Sequence, residues 1–185
     1  MKIGITGGIG AGKSYICQRL RTHGIEIYDC DTAAKRLIRS SAELRRQLTE
    51  LIGTDAYVGD QLNKAAVTRF LLASKENAQA IDAIVHPAVF RDFEESGLQW
   101  MESAIIYESG IYRLVDRVVV VTAPEEVRIQ RVMQRDGISS EQVRQWLQRQ
   151  WPQEELQRRA DYEIVNDGIA DIDAQIDKLL ETYKV

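Results

Sequence analysis

Residues 1–14, Met1-Lys2-Ile3-Gly4-Ile5-Thr6-Gly7-Gly8-Ile9-Gly10-Ala11-Gly12-Lys13-Ser14, decide how the rest of the chain reads. Lys2 to Thr6 has the character of a short buried strand. Gly7 to Ser14 fits G-x-x-x-x-G-K-[ST] in full, which is a P-loop. A glycine-rich turn lets successive backbone N–H groups point inward at phosphate oxygens. The helix behind it presents its positive dipole end to the same anion. In such a loop Lys13 reaches the β- and γ-phosphates and the Ser14 hydroxyl ligates Mg²⁺. Gly8, Ile9, Gly10, Ala11, Gly12 and the following Tyr15 complete the expected nucleotide cradle. The alternative is a glycine-rich turn with no ligand. With glycine at about 7% of residues, the pattern arises by chance at roughly 4 in 10⁵ starts. It also ends a strand and opens a helical pattern at Ile16, Leu20 and His23, the context it requires.

The composition fits one globular domain, with 185 residues, 44% of them hydrophobic and 28% charged. A net charge of −4 argues against a general nucleic-acid binder. Cys17 and Cys30 are two cysteines without a C-x-x-C or Cys/His metal pattern, so they read as packing residues in a reducing compartment. The N-terminus lacks a signal-peptide pattern, and the longest strongly apolar run, Val118 to Val121, suits a strand rather than a membrane span. These features predict a cytoplasmic protein with no nucleic-acid or membrane partner; small-molecule substrates are expected from the P-loop, and a monomer or weak homo-oligomer is expected without a sequence feature that decides between them.

Further strands are expected at Ile25–Tyr28, Ser103–Tyr107, Arg117–Thr122 and Tyr162–Val165, with an amphipathic last helix carrying Ile172, Ile176, Leu179, Leu180 and Tyr183 on one face. Strands alternating with helices predict an α/β fold, a five-stranded parallel sheet covered on both faces. Two connections are longer than a crossover needs. The first holds helical patterns at 44–51, 65–72, 78–85 and 88–93. The second is basic and runs through 124–136, 140–150 and 152–160. They are read as a helical acceptor insertion at about 41–99 and a helical lid at about 124–159. The core then comprises about 1–40, 100–123 and 160–185.

Asp29 and Asp31 follow the second strand, at the edge where parallel sheets bind ligands. One of them suits a general base toward an attacking hydroxyl, the other a helix cap or a contact to Mg²⁺ through water. Glu108 is placed at the end of the third strand, as a ligand-orienting carboxylate or as a helix cap. Arg128, Arg131 and Arg135 share one helix face by spacing, and a lid that clamps triphosphate favours Arg131 or Arg135. His86-Pro87 reads as the junction of two helices, with the histidine structural on pattern alone. Trp100, Trp146 and Trp151 read as packing residues without a stacking array. Asn166 and Gly168 follow the last strand, where a loop can wrap an adenine.

Together these pieces resemble the dephospho-CoA kinase family almost end to end. The residues that carry the resemblance are Thr6 to Ser14, Asp29 to Lys35, Val85-His86-Pro87, Tyr107-Glu108-Ser109 and Val121 to Glu126. Arg131 to Gly137, Gln150-Trp151-Pro152, Ala160-Asp161 and Asn166-Asp167-Gly168 complete the set. The resemblance implies a P-loop kinase that uses ATP, with Mg²⁺, to phosphorylate the ribose 3′-hydroxyl of dephospho-CoA. It implies Asp31 as general base and Lys13 and Arg135 as catalytic cations. It further implies Arg131 and Asn166 at the ATP, and Asp29, His86 and Glu108 on the acceptor side. Ala104 with Ile105-Ile106 departs from a frequent Pro-Leu-Leu, Tyr15 from a frequent Thr. Leu156 stands where a lysine is frequent; if that lysine holds phosphate in relatives, either Arg158 or Arg159 substitutes here or the contact is absent.

Overall fold

In the computed structural model, which describes residues 1–184, the opening stretch forms the central strand of a sheet. β1 (Ile3–Thr6) runs between β5 (Trp100–Glu102) and β6 (Arg117–Thr122), with β7 (Tyr162–Val165) beyond β6 and β2 (Ile27–Asp29) beyond β5. The order β2-β5-β1-β6-β7 is a five-stranded parallel sheet in an α/β fold. Its registers align Ile3 with Trp100 and with Arg117, and Thr122 with Val165. Strand order reverses around β1, which makes its carboxyl end the switch point where open α/β sheets bind ligands.

The chain divides into two compact units, Met1–Ile27 with Leu98–Val185, and Tyr28–Gly97. In the first, α1 (Lys13–Thr22) and α9 (Ile172–Tyr183) cover one face of the sheet. Ile3, Ile5, Val119, Val121 and Ile164 pack there against Ile16, Leu20, Ile176 and Leu179. These are alternate strand positions, as the period-2 geometry requires. Leu20 and Ile16 keep the helical face read from the sequence, while His23 lies past the helix end as an exposed cap residue. After β6 come α6 (Glu125–Asp136), α7 (Ser140–Leu147) and α8 (Gln153–Arg159). Ser139 and Gln142 make a capping box at the start of α7, each satisfying the other's backbone N–H.

The third strand is shorter and earlier than the sequence predicts. It ends at Glu102. The Ser103 N–H still donates to Ile5 O at 3.0 Å, but the Ser103 hydroxyl then accepts from Ile105 N–H and turns the chain. Ile106 is buried and would collide with any side chain at Gly4, so its apolar character serves packing on the sheet rather than pairing within it.

The second unit contains α2 (Cys30–Ser40), α3 (Ala42–Ile52), the hairpin of β3 (Tyr57–Val58) and β4 (Gln61–Leu62), α4 (Lys64–Ala73) and α5 (Asn77–Ser96). The hairpin was not legible beforehand; it turns at Gly59 with φ 64°. α5 is one helix of 20 residues with Pro87 inside it, where two helices were expected. Val85, Val89 and Phe93 form a continuous buried stripe at spacings of four. The carbonyl of Ala83, which loses its donor to the proline ring, belongs to an exposed residue that water reaches. Packing therefore carries the helix through. Buried Tyr28 donates to Asp92 Oδ2 at 2.6 Å, and Arg36 donates to the same oxygen at 2.5 Å, tying the end of β2 and α2 to α5. No helix among the described residues is long and apolar enough to cross a membrane.

Candidate active site

The P-loop leaves the carboxyl end of β1 and closes into α1 through Gly10 and Gly12, with φ of 78° and 93°. Side chains rarely adopt either angle. Tertiary contact adds a second constraint. A Cβ on Gly10 would stand 2.6 Å from the Arg128 carbonyl oxygen, and one on Gly12 would overlap the Asn166 amide. α6 and the loop after β7 therefore pack directly on the P-loop backbone. The Lys13 ammonium donates to Gly7 O at 2.8 Å, which folds its chain over the loop. Ser14 lies exposed in the first turn of α1, and Tyr15 beside it is 49% exposed.

Four side chains from later in the sequence fasten this loop. Arg128 Nε donates to Ile9 O at 2.9 Å, and Gln150 Oε1 accepts from Ile9 N–H at 2.8 Å, so one peptide neighbourhood is held from both sides. The buried Asn166 amide donates to Ala11 O at 2.8 Å. Arg131 Nη1 donates to Asn166 O at 2.9 Å and to Gly10 O at 3.4 Å. Gly12, Tyr15, Arg131, Asn166, Gly168 and Ala170 line a cavity of about 540 Å³ beside the helix end of the loop. Its size and planar neighbours suit a purine base.

Arg128 and Gln150 are the residues the sequence reading undervalued. The spacing put Arg128 on the same face as Arg131 and Arg135, a solvated one by default. Instead Arg128 is 7% exposed, and its burial pulls the guanidinium pKa below its ordinary value against the pull of Glu125 and Glu154. Arg135 lies outside this group, its guanidinium in a forked pair with Asp136 at 2.7 Å. Glu102 was also overlooked. It ends β5 in register with Ile5, and so occupies the carboxyl edge beside the P-loop strand that had been expected for Glu108. Glu108 sits exposed in the turns that follow, six residues past that strand.

In the second unit, Asp29 caps α2. Its carboxylate accepts from Thr32 N–H and from the Thr32 hydroxyl, each at 2.9 Å. Asp31 is exposed in the first turn of that helix. His86 is half-buried on α5, 3.7 Å from Asp82 and stacked against Phe90. In the first unit, Trp151 contradicts the expectation of no stacking. Trp151 lies parallel to Tyr107 with centroids 5.9 Å apart, and the Arg159 guanidinium covers it at 4.7 Å. Burial pushes the Tyr107 phenol up to about 12. Leu156 is buried, and Arg158 and Arg159 both bind Glu155, at 2.5 and 2.6 Å.

A P-loop with arginines packed on its backbone at a sheet switch point is common to many kinases, and likeness to known proteins narrows it. A family model described as dephospho-CoA kinase matches residues 1–171. The chain belongs to the dephospho-CoA kinase family. Dephospho-CoA kinases of Bacteroides fragilis and Porphyromonas gingivalis are 37% and 38% identical to it. The alignments cover 97% and 98% of this chain and 91% and 94% of those proteins. The crystal structure of TT1252 from Thermus thermophilus matches with a TM-score of 0.86 at 32% identity, over 100% of this chain and 98% of that one. A Campylobacter jejuni dephospho-CoA kinase (TM-score 0.67, 21% identity) covers 99% of this chain and 98% of its own, and shares the fold. So does a shikimate kinase of Bacteroides thetaiotaomicron, at TM-score 0.59 and 14% identity over 100% of this chain and 99% of that one. As a dephospho-CoA kinase family member the chain is an ATP-dependent kinase.

Proposed function

We propose that the chain transfers the γ-phosphoryl group of ATP to the ribose 3′-hydroxyl of dephospho-CoA, giving ADP and coenzyme A. The observation that carries this reading is the family match over residues 1–171 together with a complete P-loop at the sheet switch point. Lys13 binds the β- and γ-phosphates from the chain it already folds across Gly7. Arg131 and Asn166 frame the base in the cavity beside Gly12. The Ser14 hydroxyl, exposed at the first turn of α1, fits one oxygen ligand of a Mg²⁺, an ion that takes few protein ligands and several waters. That ion, when bound, neutralises charge on the phosphate oxygens.

On the acceptor side Asp31 takes the 3′-hydroxyl proton as the ribose oxygen bonds to the γ-phosphorus and the bond to the β,γ-bridging oxygen breaks. Its exposure distinguishes it from Asp29, whose oxygens already serve Thr32. Asp29, through a water on Mg²⁺, His86 and Glu108 are assigned to holding the acceptor and its surroundings, and Arg135 to the lid, where it must first release Asp136. About 41–99 serves as acceptor insertion and about 124–159 as lid. The test is incubation with Mg·ATP and dephospho-CoA, with the product's phosphate located by ³¹P NMR. A 3′-phosphate is expected. Phosphorylation of a nucleoside monophosphate with none of dephospho-CoA overturns the reading.

A further inference from the structure

Arg128 is a cation in a place that penalises cations. It is 7% exposed, and among the described residues no carboxylate lies within the 4.0 Å of an ion pair with it. Its Nε is occupied by Ile9 O, a neutral partner. A buried guanidinium without an anionic partner is a destabilising feature, because the lost hydration is not replaced by an opposite charge. Glu125, one of the acids near enough to act on it, is itself held by Arg144 at 2.6 Å. Beside a phosphate-binding loop, such a group points to an anion that arrives later.

Its position says which anion. The guanidinium abuts Gly8 so closely that a Cβ there would overlap Nη2. Lys13 reaches the same end of the loop, through Gly7 O. In a P-loop the helix N-terminus receives the inner phosphates and the lysine marks the β/γ side. Arg128 and Lys13 therefore converge on the γ end. The fork is also fixed before any ligand binds, since the α6 backbone at Arg128 rests on Gly10 and Gln150 secures Ile9 from the other side. A planar fork held in place suits phosphate oxygens better than a mobile ammonium. Arg131 is occupied with Asn166 and Gly10, and Arg135 with Asp136.

We propose that Arg128 is a γ-phosphate ligand, through which the protein distinguishes a bound triphosphate from a diphosphate. The proposal rests on the reading above that ATP occupies the P-loop, and it is independent of the acceptor. The test is titration calorimetry of the full chain with Mg²⁺ and either β,γ-imido-ATP or ADP. Arg128→Gln keeps a donor for Ile9 O and removes the charge. It is expected to weaken the triphosphate analogue about tenfold or more, as loss of a charge-assisted contact does, while ADP changes less than about twofold. Equal weakening of both nucleotides would reduce Arg128 to a clamp on Ile9 and overturn the proposal, as would no weakening of either. If Arg128→Gln does not fold, Arg128→Lys is judged by the same ratio: a drop selective for the triphosphate supports the proposal, and an equal or absent change overturns it. Wild-type protein that binds neither nucleotide would refute the P-loop reading itself. Wild-type binding with a non-selective variant would refute only the role of Arg128.

Discussion

Lys13 and Gly12 stand side by side in the sequence and act in opposite ways. Lys13 contributes a charge that matters when phosphate is present, and its ammonium donates a hydrogen bond to Gly7 O. Lys13→Ala is accordingly expected to lower turnover by about a thousandfold or more, while the folded state loses no more than about 1 kcal/mol. A coupled assay read beside a urea melt checks both halves. Gly12 contributes the absence of a side chain. With φ 93° and the Asn166 amide against its Cα, Gly12→Ala is expected to cost about 1–3 kcal/mol and to displace Asn166, raising KM for ATP more than it lowers kcat. Retention of wild-type KM and melting temperature would show that the Asn166–Ala11 contact yields freely. That Gly12 is a glycine was plain from the motif. That the loop after β7 enforces it was not, because Asn166 is more than a hundred residues away in the chain.

At the scale of the element, α5 shows a local signal overruled. Proline after His86 reads as a boundary, since its ring removes one hydrogen bond and crowds the preceding turn. The helix continues because Val85, Val89 and Phe93 bury one unbroken stripe, a fact of packing that period counting across a proline does not reveal. Pro87→Ala should restore the missing N–H and raise the urea midpoint, by about 1–3 kcal/mol in stability. No gain would mean that the proline's rigidity in the unfolded chain offsets the lost bond.

β5 misled for a related reason. Ile105-Ile106 is as apolar as a strand, and only the register of Trp100 with Ile3 shows where pairing stops. The Tyr28–Asp92–Arg36 network also belongs to this scale, since it joins the end of β2, α2 and α5. Burial pulls the Asp92 carboxyl upward, but the hydrogen bonds from Arg36 and Tyr28 prevail and hold it below its ordinary value. The unfolded chain thus binds this proton more readily than the folded one. The stabilisation is complete above the ordinary carboxylate value of about 4 and is lost as pH falls through the lower folded value. In acid titrations followed by circular dichroism, the wild type should lose its advantage over Asp92→Asn only below about pH 4. A constant difference down to pH 2 would argue against the network as its source.

For the whole molecule, the reversal of strand order at β1 places the P-loop, the end of β6 and Asn166 along one edge, so that occupancy of the loop is felt by elements distant in sequence. Mg·ATP at a hundred times its Kd should stabilise the protein by about 2.7 kcal/mol, a rise of roughly 5–11 °C in melting temperature. Lys13→Ala should abolish most of that shift, and an undiminished shift in the variant would place the nucleotide elsewhere. What the sequence by itself determined is everything that depends on neighbours in the chain: the loop dihedrals, the alternation of strands and helices, the amphipathic last helix and the motifs that resemble one kinase family. Tertiary structure alone decided which of three arginines on one helix face is buried on the P-loop, which aspartate is spent on a cap, and which carboxylate ends the strand beside β1. The physical reason is that these outcomes turn on contacts across long sequence separations. Gln150 meets Ile9, and Arg128 meets Gly8 and Gly10, because parallel strands bring distant connections to one edge. Spacing within a helix says which side chains are neighbours, and only the fold says what the helix is resting on.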